Sequence, residues 1–249
     1  MATNRQERAA QLAGQLIGLE SPKEVVLAAG EWISYRLEQE GFRWLKGRTS
    51  LERRLDGRLE RIRLEGSRWN KTGRLIEFSI VGLEVFDEGL KAWRQSNPGL
   101  TVERPDSVEG IVCATSFLDI SREAKAIVTL PADRIAVVDR LCEHVKEVAL
   151  PWFRSSEDPE NLAGAVSDAL LRPTGFGQDL LELLVSRGFR GEARSLIQRV
   201  LSLGETYRDS FSGGRSLAIS GGRPSWHSQQ ALGWSSEVLG LLDTTGPST

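Results

Sequence analysis

His144 and His227 are the only imidazoles in the chain, so a general base titrating near neutrality would have to be one of them. His144 stands between Glu143 and Val145-Lys146 and reads as a helix-surface residue. His227 follows Trp226 in a glycine-rich stretch that would not hold it rigidly enough for catalysis. Cys113 and Cys142 lie far apart, with no Cys-x-x-Cys and no neighbouring histidine, and read as buried small hydrophobes rather than metal ligands or nucleophiles. No Gly-x-Ser-x-Gly elbow is present. Gly213-Gly214-Arg215-Ser216 and Gly221-Gly222-Arg223 lack the Gly-Lys-Ser/Thr ending of a phosphate loop. Glu84, Asp87 and Glu88 carry enough charge for a divalent ion, yet read more simply as a solvated turn and a helix N-terminus, where carboxylates favour the dipole. The expectation is a chain with no catalytic residue, no metal and no cofactor.

One feature stands above background. Between Arg43 and Arg74, nine arginines and two lysines face four carboxylates, a local excess of seven positive charges in a chain whose net charge is -2. Trp44 and Trp69 lie near its two ends and offer stacking or cation–π surfaces. Arginines interleaved with glutamates can ladder across strands, each pair giving about 0.2–1 kcal/mol and blunting an edge. Four carboxylates do not neutralise eleven cations, so part of the cluster is left for an anionic ligand, an acidic protein partner or, third, nucleic acid. Arg53, Arg54, Arg61, Arg63 and Trp69 are the candidate partner-binding residues. The register of the hairpin decides which of them share a face.

The elements that must position these side chains follow from periodicity. Thr3 with Gln6, and Ser21-Pro22 with Glu24, match capping boxes that open two helices. The first carries Leu12, Leu16 and Ile17; the second carries Val26, Ile33 and Leu37 and stops at Gly41. Asp56-Gly57 between two arginine-laced runs signals a hairpin, because both residues tolerate positive φ. Alternation then buries Ile62 and Leu64 and turns Arg61 and Arg63 to solvent. A third run, from Ile76 to Val85, is apolar on both sides and reads as a central strand. A short helix is expected from Glu88 to Ser96, strands at 110–120 and 126–130, and a helix from Asp133 to Ala149 that Leu150-Pro151-Trp152-Phe153 breaks. Asp158-Pro159-Glu160 opens a further helix through Leu162, Val166 and Leu170. Leu180 to Leu201 forms an αα-hairpin turning at Gly188 and ending at Gly204.

Past Tyr207 the serine, glycine and arginine content reads as a flexible tail, with one short amphipathic helix around Ala231, Leu232, Val238 and Leu239. The domains expected are therefore an α+β domain over 1–172, a helical hairpin over 173–207 packed on it, and the tail over 208–249. The fold class is α+β, an antiparallel sheet of about five strands with helices on one face. The near-neutral charge, the pI of about 5.9 and the lack of an apolar leader or membrane-spanning run point to a cytoplasmic protein with no membrane partner.

The order of a helix ending in Glu40-Gly41-Phe42, a basic stretch to Arg53-Arg54, a hairpin, an apolar central strand and a late helix closing on Leu150-Pro151-Trp152-Phe153 resembles a family of small bacterial α+β proteins catalogued only as a domain of unknown function. The resemblance runs over roughly residues 23–170 and departs from the family at Ala126 to Leu130, where a tryptophan pair is usual. It implies a fold and no catalytic residues. The functional expectation is a non-catalytic protein, regulatory or antagonistic, that binds an acidic protein or other anionic macromolecule through an arginine-rich sheet face. An enzyme acting on a phosphorylated or carboxylated substrate is the alternative, and a nucleic-acid binder the second alternative.

Overall fold

A computed structural model describes residues 2–115, 125–166, 168–171, 177–226 and 228–242. The chain divides into two interleaved units, residues 1–84 with 115–154, and residues 85–114 with 155–249.

The first unit opens with α1 (Ala2–Gly18) and α2 (Pro22–Arg36). Ser21 occupies the N-cap of α2 as expected, but its side chain makes no capping hydrogen bond; Pro22, which needs no partner for a missing N–H, starts the helix. A 3₁₀ turn over Glu38–Glu40 ends at Gly41, whose φ of 82° lets the chain reverse into the sheet. The strands are β1 (Arg43–Leu45), β2 (Ser50–Leu55), β3 (Arg58–Gly66), β4 (Glu77–Asp87), β5 (Ile111–Thr115) and β6 (Lys125–Ile127). Their hydrogen-bonded order is β1-β2-β3-β4-β5, with β6 also on β4, and the β1–β2, β2–β3 and β4–β6 ladders are antiparallel. The α+β class with an antiparallel sheet is thus observed.

Asp56 and Gly57 both take positive φ, 32° and 79°, and set the β2–β3 register that pairs Leu51 with Ile62, Glu52 with Arg61 and Arg53 with Glu60. Ile62 and Leu64 are buried as the alternation demands. In β4 the buried side chains are Phe78 and Ile80, then Leu83 and Val85, so the alternation slips by one residue across Val81-Gly82.

α4 (Arg134–His144) follows β6 and continues, without the expected break, through a π-helical turn over Val145–Ala149 into α5 (Leu150–Ser155). Pro151 supplies no N–H to the carbonyl one turn back, and the wider π turn takes up the lost bond while the helix goes on. The register so produced buries Phe153 against Phe42, ring centroids 6.0 Å apart. Arg134, itself buried, donates to the carbonyls of Leu16, Ile17 and Leu19 and so closes the end of α1. Trp32 Nε1 donates to Asp139 at 2.9 Å and ties α2 to α4.

The second unit holds the end of β4, α3 (Glu88–Ser96), β5 except Thr115, and the helices α6 (Pro159–Ala165), α7 (Gly177–Ser186), α8 (Arg190–Ser202), α9 (Glu205–Ile219) and α10 (Ala231–Val238). Asp87 caps α3, accepting from Leu90 N at 2.6 Å, and Asp158 caps α6. The α7–α8 hairpin turns at Gly188 as read from the sequence.

The flexible tail does not survive. Tyr207 lies inside α9, and α10 packs on α9 so closely that a Cβ at Gly214 would lie 2.1 Å from the Gln230 carbonyl oxygen, and one at Gly233 2.0 Å from that of Phe211. Glycine serves here as the residue that lets two helix backbones touch, and the sequence reading mistook it for flexibility. Trp234 is buried with Ala231 and Val102 and donates its indole N–H to Gly222 O at 2.7 Å. Contacts group residues 85–114 with the C-terminal helices, and the described residues of 115–154 with the N-terminal unit.

Candidate functional site: an arginine ladder and an indole-lined cleft

The β2–β3 register distributes the candidate arginines over both faces of the sheet. Arg53, Glu60 and Arg58 point to the side that carries Trp44, Leu51 and Ile62, which is the side covered by α2. Glu60 is fully buried; Arg53 Nε reaches its Oε2 at 2.5 Å and Arg58 Nε its Oε1 at 3.0 Å. Arg53 also donates to Glu40 O and lies over the Phe42 ring at 4.8 Å, while Arg58 donates to Phe153 O. Arg53 is therefore a structural tie between the hairpin, the α2 exit and α5. It departs from the expected partner-binding face because neighbours on a strand project to opposite sides, so Arg53 and Arg54 separate.

Arg61 and Arg63 lie on the other side. Arg61 bridges Glu52 at 2.7 Å and Glu84 at 2.9 Å, and Arg63 reaches Glu84 at 3.3 Å. Arg48 joins at Glu52. The Arg61 side chain is 17% exposed and that of Arg63 54%, so of the two only Arg63 is turned largely to solvent. The ladder recruits Glu84 from β4, outside the stretch whose charges looked unbalanced. Arg54, beside Leu59 in the register, shares this face. Trp69 sits apart in the connection between β3 and β4, exposed, with the Arg68 guanidinium 4.9 Å from its ring centre. The five candidate residues thus fall into three places.

Basic residues outside the ladder lie at both ends of the stretch: Arg68, Lys71 and Arg74 at its end are exposed, and so are two at its start. Arg43 and Lys46, both exposed, flank Trp44 on β1 and its following turn, and among the described residues neither enters an ion pair. They line a cleft of about 670 Å³ whose other walls are Arg8 and Leu12 of α1, Glu31 and Ser34 of α2, and the Glu38–Phe42 turn. Arg8 is engaged with Glu38 at 2.9 Å. Trp44 is held from two sides. Its main-chain N–H donates to Ser34 Oγ at 3.0 Å, and its ring lies on α2 where Gly30 has no side chain; a Cβ there would be 2.4 Å from Cζ2. Ser34 so satisfies a β1 edge donor and leaves less of that edge open to another strand. Trp44 Nε1, by contrast, is buried and has no acceptor. Such a donor costs about 1–3 kcal/mol relative to a satisfied one. The sequence marked Trp44 as a stacking surface; Gly30 in the middle of α2 was the unread signal that a ring packs there.

The second unit contains a buried charge quartet that no spacing rule announces. Arg94 binds Asp179 and Glu182, each at 2.7 Å, and Arg104 binds the same two carboxylates at 2.9 Å. Burial pushes the Glu182 carboxyl above the ordinary range, and Arg94 and Arg104 pull it back. Two cations against two carboxylates make the group self-neutralising, and it joins α3 and the segment after it to α7.

Both thiols are free and buried, and burial, with Asp139 adding, pushes Cys142 up to about 12. His144 ends α4 and is half-buried; His227 lies outside the described residues. Asp87 pairs with Arg187 at 2.7 Å besides capping α3, and Glu84 belongs to the ladder, so the acidic run is divided among structural roles. Among the described residues no three His, Cys, Asp or Glu side chains converge as a metal site, and no helix is long and apolar enough to cross a membrane. Comparison with protein-family models, with curated proteins and with solved structures finds no match to this chain.

Proposed function

We propose that this protein is a binding protein for an acidic macromolecular partner and that it engages the partner at the rim of the Trp44 cleft, through Arg43 and Lys46. The observation that carries this reading is the place of Arg43 and Lys46. Arg53, Arg58 and Arg61 are already opposed by Glu60, Glu52 and Glu84, and the exposed Arg68, Lys71 and Arg74 lie away from the cleft lining, whereas Arg43 and Lys46 stand exposed beside a cleft large enough for a side chain or short segment. Exposed cations of this kind raise the association rate of an anionic partner and make it salt-dependent. The reading moves the interface from the Arg61–Arg63 face to the β1 edge.

The test is a titration of the full chain with polyglutamate and with neutral polyserine at low and high salt. Saturable binding to polyglutamate alone, weakened by salt and by Arg43→Glu/Lys46→Glu, supports the reading. Equal behaviour of the two polymers, or an unchanged double variant, overturns it.

A further inference from the structure

We infer that the connection between β3 and β4 is a second binding surface, separate from the cleft, and that it takes a single-stranded nucleic acid, stacking one base on Trp69 while Arg68, Lys71 and Arg74 meet the neighbouring phosphates. Trp69 is the one exposed residue among the seven tryptophans, all of which are described. It is 64% exposed even though the Arg68 guanidinium lies 4.9 Å from its ring centre. From Gly66 to Ile76 the chain carries three cations and no carboxylate, and among the described residues none of the three enters an ion pair. Arg68, Lys71, Thr72, Gly73 and Arg74 are exposed with the indole.

Hydrogen bonds hold this tip in place. Asn70 brackets Glu77, donating to its carbonyl at 2.8 Å and accepting its main-chain N–H at 2.7 Å, and the Ser67 N–H donates to the same carbonyl at 2.9 Å. Lys71 and Leu75 exchange main-chain bonds at 2.8 and 3.0 Å across a turn in which Gly73 takes a φ of 68°. An ordered backbone therefore presents the ring, and little further chain entropy is lost when a ligand stacks on it.

The make-up of the tip selects among anions. An acidic peptide would satisfy the cations and leave the indole unused. A lipid surface asks for more apolar area: Trp69 is the only large apolar side chain exposed between Gly66 and Ile76, far less than the acyl chain that accompanies a basic patch in stable anchoring. A nucleotide strand uses both features, its base on the ring and its phosphates on the cations. Bases in a duplex are already stacked on one another, so the strand is single.

The test is a titration of the full chain with dodecathymidylate over a range of salt concentrations, read by the anisotropy of a fluorescein-labelled strand and by tryptophan emission with an unlabelled one. Wild type is expected to bind with quenching of the emission, and log K should fall against log salt with a slope of about −2, from three cations at about −0.7 each. Trp69→Ala should weaken binding about tenfold and keep that slope, because the ring carries no charge. Lys71→Ala/Arg74→Ala should reduce the slope to about −0.7. All three side chains are exposed, so neither variant removes a core contact.

Absence of dodecathymidylate binding overturns the inference, and so does a Trp69→Ala protein that binds the strand as wild type. Loss of the strand in Arg43→Glu/Lys46→Glu with no effect of Lys71→Ala/Arg74→Ala would place it in the cleft and also overturns the tip. Phosphatidylserine vesicles that bind wild type but not Trp69→Ala, where the strand does not bind, would replace the nucleic acid by a membrane. Polyglutamate binding through Arg43 and Lys46 is expected to be unchanged in Trp69→Ala, so the proposed function stands or falls separately.

Discussion

Arg53 and Glu60 sit directly opposite each other on β2 and β3, and the 2.5 Å contact between them lies under the Phe42 ring, on the helix side of the sheet. A carboxylate that is fully buried survives there because two guanidiniums face it, and removing it leaves both partly uncompensated. Glu60→Gln is expected to lower unfolding stability by about 3 kcal/mol, the range for breaking a buried pair from one side. Urea denaturation checks this, and a loss below about 1 kcal/mol would show that water replaces the pair at little cost.

The C-terminal helices should be integral to the second unit. Gly214→Ala forces a methyl against the Gln230 carbonyl and should cost about 1–3 kcal/mol. A chain ending at Asp209 loses the buried side chains of Phe211, Leu232, Trp234, Leu239 and Leu241. It should melt about 10 °C or more below the full chain, since each buried apolar side chain contributes about 1.5–3 kcal/mol. Calorimetry decides it; unchanged melting of both proteins would mean that α9 and α10 are marginal.

Cys142 links stability to alkaline pH. Its folded value of about 12 exceeds the ordinary thiol value of 9.0, so the unfolded chain releases this proton first and the folded state holds it. Stability contributed by the thiol is complete below pH 9 and declines as pH rises toward 12, by at most roughly 4 kcal/mol. Denaturation midpoints of wild type and Cys142→Ala measured between pH 8 and about 10.5 should converge as pH rises. Parallel profiles would contradict the burial argument. At pH 8 neither cysteine should react with a thiol reagent until the protein unfolds, because thiolate is the nucleophile and both sulfurs are buried.

Local signals were legible where local physics decides. Asp56-Gly57 announced the hairpin, the alternation around Ile62 and Leu64 announced the buried face, and Glu88 to Ser96 was readable as a short helix. What failed was non-local. Counting charges from Arg43 to Arg74 omitted Glu84, which a later strand brings to Arg61 and Arg63. Glycine at 214 and 233 looks the same in sequence whether it loosens a tail or lets helices touch, and only the partner backbone tells which. The Arg94–Asp179 and Arg104–Glu182 pairs join positions too far apart in sequence for any spacing rule to connect them. For the cleft, Arg43, Trp44 and Lys46 were visible as a basic-aromatic cluster, but Arg8 comes from α1, and Glu31 and Ser34 come from α2, whose approach to β1 depends on Gly30.

The location of the binding face is tested most directly by calorimetric titration of hexaglutamate into three proteins at one low salt concentration: wild type, Arg43→Glu/Lys46→Glu and Arg63→Glu. Arg63 is the control because it is a largely exposed arginine that faces Glu84 on the ladder side, away from the cleft lining. The account predicts at least a tenfold loss of affinity in the double variant and an affinity within about twofold of wild type in Arg63→Glu, tenfold corresponding to about 1.4 kcal/mol. Loss of binding in Arg63→Glu with the double variant unaffected would contradict it and return the interface to the ladder face.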